Sequence, residues 1–162
     1  MIDHVHRLFR HMTWADDRVL TRLDEVALDT DAGREALRLF AHVVAAERVW
    51  LLRATGGDAA SVPIWPEWSL DETARAARET RGGYERLLDG LDESGLRRVV
   101  DYRNSKGVAF HTELGDILLH VATHGGYHRG QIAAVVRRGG GEPVNTDFIT
   151  YAREADAGPR VR

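Results

Sequence analysis

The chain has 162 residues, 43% hydrophobic and 29% charged, which points to one compact domain with a buried core and excludes a disordered chain or a multidomain machine. A net charge of −3 gives no general attraction to phosphate backbones or anionic lipid, so neither nucleic acid nor membrane is expected as a partner. There is no cysteine, hence no disulfide, no zinc-thiolate site and no thiol nucleophile of the chain's own; any thiol chemistry requires an external thiol.

The opening MIDHVHRLFRHMTWADDRVL breaks its apolar residues with His, Arg and Asp, unlike a signal peptide, and no stretch reaches the ~20 apolar residues of a membrane span. A cytoplasmic protein is the expectation. From Ile2 to about Val26, Val5, Leu8, Phe9, Met12, Ala15, Val19 and Leu23 recur at three- and four-residue steps and predict an amphipathic first helix. Asp29, Thr30 and Asp31 offer an N-cap for a second helix, whose stripe of Ala36, Leu39, Phe40, Val43, Ala46 and Trp50 runs until Gly56 and Gly57. SVPIWPEW reads as a loop over the bundle, and Ser69 to Glu72 as a capping box opening a third helix to about Leu91. Arg97–Tyr102 and Val108–Phe110, separated by a turn-like Asn104–Gly107, predict a short hairpin. Thr112, with Glu113 and Asp116 in the first turn, is expected to open a fourth helix ending at Gly139. Pro143, Phe148, Ile149 and Tyr151 should fold back on the bundle. The expected fold is all-α, a four-helix bundle over residues 1–155 with a short β-hairpin before the last helix, and a flexible tail over 156–162.

Eight histidines are many for this length, and His120, His124 and His128 follow one another at four-residue steps. On a helical wheel of about 100° per residue, His124 and His128 fall beside Ile117, Val121, Ile132 and Val135 and point inward. His120 drifts to the flank, ~12 Å along the axis from His128, too far for the three to share one ion comfortably. Two inward imidazoles need partners, because an unsatisfied buried polar group costs about 1 to 3 kcal/mol. A shared metal ion satisfies both, with His42 of the second helix as the third ligand; the alternative is hydrogen bonding to core carboxylates or carbonyls. Glu47 lies roughly 140° from His42 on the same wheel, which places it in solvent or behind a ligand. His4, His6 and His11 do not converge on one face, and His111 is expected at the surface. Gly125, Gly126 and Gly130, each costing about 1 kcal/mol inside a helix, imply close packing or ligand access beside the pair.

HGGYHRGQIAAVVRR resembles the last-helix signature of the DinB/YfiT-like metal-binding four-helix bundles, and H-x3-H-R-G-Q is its most specific part. HMTWADDRVL, His42 followed by Glu47-Arg48-Val49-Trp50-Leu51, YRNSKGVAF, and Pro143, Asp147 and Tyr151 agree in the same order, over nearly the whole chain. One departure is Asp16-Asp17, where the family commonly shows Asn, and it bears on a contact of the first helix. The resemblance implies a divalent ion on three histidines, His42, His124 and His128. It also implies a metal-dependent thiol S-transferase using a low-molecular-weight thiol, or else a noncatalytic, stress-associated bundle with a structural ion; a homodimer is the expected assembly. Three neutral imidazoles leave coordination positions for water, thiol or a small-molecule substrate. Zinc and nickel suit imidazole best, with iron and manganese behind them. On the wheel, Tyr127 and Arg129 point away from the ion, toward surface or packing roles.

Overall fold

In the computed structural model, which describes residues 1–156, the helix boundaries follow from capping chemistry. The Thr30 hydroxyl accepts the Gly33 N–H at 3.0 Å and starts α2 (Asp31–Thr55), which ends at Gly56 in the left-handed conformation, φ 76°. Ser69 and Glu72 form the expected capping box, with Ser69 N–H donating to Glu72 at 2.8 Å, and start α3 (Leu70–Asp89). Before them comes α1 (Ile2–Glu25), which buries Val5, Phe9, Met12, Ala15, Val19 and Leu23 along one stripe. β1 (Val99–Arg103) and β2 (Ala109–Glu113) pair antiparallel, Val99 opposite Glu113 and Val100 opposite Thr112. α4 (Leu114–Arg138) follows directly, and α5 (Phe148–Asp156) comes last.

Two expectations change here. Thr112 does not open α4, because the β ladder engages its backbone; Glu113 stands at the N-cap position without a side-chain cap bond, and the helix begins at Leu114, with Asp116 in its first turn. The segment expected only to pack back is a fifth helix of 9 residues, while the hairpin stands where expected, directly before the fourth long helix. The expected tail falls outside the described residues except for Asp156, which ends α5.

α2 is the central element, buried without a break from Leu39 to Glu47, and packs most extensively against α4, then α3. α1 packs on α3 and α4. α2 and α4 run antiparallel, since His42 meets His124 and His128 while the later Trp50 meets the earlier His120. The core falls into two apolar clusters. One gathers Val5, Phe9, Met12, Tyr84, Leu88, Leu114, Ile117 and Val121; the other gathers Val19, Leu23, Phe40, Val43, Val44, Ile132 and Val135. Between them α1, α2, α3 and α4 each place a buried polar residue: Asp16, Glu47, Thr80 and Arg129. Among the described residues no helix is long and apolar enough to cross a membrane.

Candidate metal centre

The histidine pair picked out by spacing meets His42, the expected third ligand, at the α2–α4 groove, where one nitrogen from each of His42, His124 and His128 lies within 4.8 Å of the others. Four-residue spacing stacks His124 and His128 on one face of α4, with ring centroids 4.5 Å apart. His42 faces them from α2, its ring 4.7 Å from His128 and 5.5 Å from His124.

Hydrogen bonds at the outer nitrogens orient two of the rings. His42 Nδ1 donates to the Ile64 carbonyl at 2.7 Å, and His128 Nδ1 donates to Gln131 Oε1 at 2.7 Å. With those protons in place, Nε2 of each ring carries a lone pair, the arrangement that carbonyl or amide partners behind metal-ligating histidines enforce. His128 Nε2 and His124 Nε2 then stand 3.2 Å apart. Either a proton on His124 Nε2 or a cation must lie between two such atoms, and a cation takes both lone pairs once His124 shifts its proton to Nδ1. Burial, then the charges of its neighbours, pushes His124 down to about 4, and burial also lowers His42. Both are therefore neutral and ready to coordinate at neutral pH. The three imidazoles form a donor set that could hold a metal ion.

Trp65 stacks on His42 at 3.8 Å and 11° between planes, and Arg38 lies 4.4 Å over Trp65. The SVPIWPEW loop therefore holds the His42 ring from behind, through the Ile64 carbonyl and the Trp65 indole. His120 stays out of the triad on the flank, as expected, its ring 5.4 Å from His124 and 5.1 Å from Trp50. Tyr127 is 67% exposed and touches His128 by its ring edge at 5.1 Å.

Several other residues depart from their expected places. Glu47 is neither solvated nor behind a ligand; it is buried at mid-bundle, where the charge of Asp16 acts on its carboxyl. Of the surface and packing roles expected for Arg129, packing is the one found: it lies in the core, and its Nη1 donates to Asp16 Oδ1 at 2.8 Å. Burial pushes the Asp16 carboxyl up against the pull of Arg129, while burial and then the Asp16 charge push Glu47 well above the usual range. Glu47 Oε1, Thr80 Oγ1 and Arg129 Nε are buried without a protein hydrogen-bond partner, each a cost of about 1 to 3 kcal/mol. Gly125 explains how Arg129 fits: a Cβ there would stand 2.8 Å from Arg129 Nη1. Gly126 and Gly130 face open space, so close packing among the described residues does not account for them. His11, expected to be partly exposed without a role, contacts the Thr146 carbonyl through Nε2 at 2.8 Å and packs on Trp14, Phe148 and Tyr151, which seats α5. His111 is exposed on β2, 2.6 Å from Asp101.

The sequence profile of the DinB family matches residues 1–160. The chain belongs to the DinB family. A curated relative, "Protein DinB" of Bacillus subtilis (strain 168), is 23% identical over 163 residues, covering 93% of this chain and 95% of the relative. In this DinB-family chain the departure at Asp16 is accommodated by Arg129, whose guanidinium takes the carboxylate.

Proposed function

We propose that His42, His124 and His128 hold one divalent ion, zinc or nickel, and that this DinB-family protein transfers a low-molecular-weight thiol to an electrophilic small molecule. The carrying observation is the pair of ring nitrogens 3.2 Å apart, each turned toward the same gap, with His42 opposite. When bound, an ion on three neutral imidazoles keeps open positions and stabilises a thiolate at neutral pH. The chain's own residues supply the geometry. Ile64 and Gln131 fix the His42 and His128 rings, and Trp65 covers one face of His42. Tyr127 borders the site with apolar surface for a substrate. In the transfer, the thiol sulfur bonds to the electrophilic carbon, and the leaving group departs with the thiol's proton.

Elemental analysis of untagged protein tests the first half: about one ion per chain, lost in His124→Ala plus His128→Ala, is the expected result. A panel of thiols and electrophiles with the loaded protein tests the second, and no metal-dependent product from any pair overturns the transferase reading. A structural ion is the second reading, favoured because the ligands bridge α2 and α4, the most extensively packed helices. It predicts one ion per chain with no turnover to lose.

A further inference from the structure

The polar layer at mid-bundle is costly for a core. It brings two carboxylates and one guanidinium out of water, and three polar atoms there have no protein partner. Buried ionic groups of this kind are poor sources of stability, and apolar residues of similar volume frequently serve as well or better. Their placement answers a different need. Arg129 directly follows the ligand position His128, and its guanidinium folds back over Gly125, which directly follows His124. From there it reaches Asp16 on α1, with side chains only 1% and 7% exposed. Glu47 of α2, the helix that carries His42, is buried within reach of the Asp16 charge. The Glu47 carbonyl accepts the Tyr84 hydroxyl of α3 at 2.8 Å, which pins the same turn of α2 from the far side. Arg81 of α3, bound to Asp17, adds its charge nearby.

We propose that Asp16, Glu47 and Arg129 are the positioning residues of the metal centre, fixing the rotation of α4 and α2 about their axes so that His124, His128 and His42 converge. A helix turned about its axis swings its side chains sideways, and greasy contacts alone tolerate such turns because they are non-directional. The directional bonds from α4 to α1 and from α3 to α2 do not. Apolar substitution of the layer therefore keeps the bundle and loosens the ligands, as losing outer partners of a metal site does. This inference rests on the three-histidine reading and fails separately from it.

The test uses Co²⁺ alone as probe, since its visible d–d bands report ligand number and geometry. Wild type is titrated first: bands of a nitrogen-ligated centre at one Co²⁺ per chain are expected, and no uptake overturns the centre and the inference together. The Asp16→Leu, Glu47→Met, Arg129→Met triple variant is expected to keep its far-ultraviolet circular dichroism and melting temperature. Its Co²⁺ affinity should fall about tenfold or more, with shifted bands. Wild-type affinity and bands in the folded triple variant overturn the positioning role. If that variant does not fold, Arg129→Lys and Glu47→Gln decide. Glu47→Gln, which keeps shape and hydrogen bonding, should retain the wild-type bands, while Arg129→Lys, which loses the fork that spans Gly125, should shift them. Identical bands in wild type and Arg129→Lys, or lost uptake in Glu47→Gln, overturn it.

Discussion

A neutral imidazole and a buried carboxyl respond to pH with opposite signs, and this protein holds both. Without metal, His124 titrates near 4 when folded and near the ordinary 6.5 when unfolded, so the unfolded chain binds more protons between those values. The stability this group contributes is complete above about pH 6.5 and is lost as pH falls toward 4. Glu47 runs the other way, because its folded carboxyl stays protonated above the ordinary value of 4.5. Its contribution is complete below 4.5 and declines as pH rises through the folded value, by at most about 1.4 kcal/mol per pH unit for one proton. Urea unfolding of the apo protein across pH 4 to 9 checks both: Glu47→Gln should flatten the alkaline decline, and His124→Ala the acid one. The inward histidines were legible because four-residue spacing on a helix fixes which side chains share a face. Glu47 and Arg129 were not, because a charged residue enters a core only when a partner from another helix meets it there, and no local pattern records that meeting.

Helix boundaries were legible wherever the cap is local, as at Thr30 and at Ser69 with Glu72. Ser69→Ala should cost about 1 kcal/mol in thermal or urea unfolding. The start of α4 was misplaced because Thr112 and Glu113 are good helix openers in isolation, yet the hairpin pairs them with Val100 and Val99. α5 escaped because 9 residues are too few for a helix to stand alone in water, and tertiary contact with His11 and Trp14 forms it. The glycines of α4 give a sharper test of element-scale reasoning. Gly126→Ala meets open space in an exposed helix interior and should stabilise by about 1 kcal/mol. Gly125→Ala drives a methyl into the Arg129 guanidinium and should destabilise. Equal effects at both positions, measured by urea unfolding, would contradict the packing described for Arg129.

At the scale of the molecule, the histidine centre ties α2 to α4 beside the layer that separates the two apolar clusters. A ligand that binds only the folded state adds RT ln(1 + [L]/Kd), about 4 kcal/mol at a thousandfold excess over Kd. Calorimetry should therefore show the melting temperature rising with free Zn²⁺ and returning to the apo value with a chelator. In His124→Ala plus His128→Ala the chelator should change nothing. Overall architecture was readable because four long stripes leave a bundle as the economical way to bury them; which helix faces meet was not, since that depends on contacts between distant segments.

Those distant segments converge on α1. At its start, the Ile2 N–H donates to Glu93 at 2.8 Å; further along, Trp14 donates to Glu154 at 2.9 Å and Arg18 pairs with the same carboxylate at 2.8 Å. During synthesis α1 is made before the other helices described, yet its holdfasts lie more than ninety and then about one hundred and forty residues downstream. Its apolar stripe must wait, exposed or in provisional contacts, until α3, α4 and finally Glu154 have been translated. Native order is completed late on the growing chain, by the same long-range closures that slow folding in vitro.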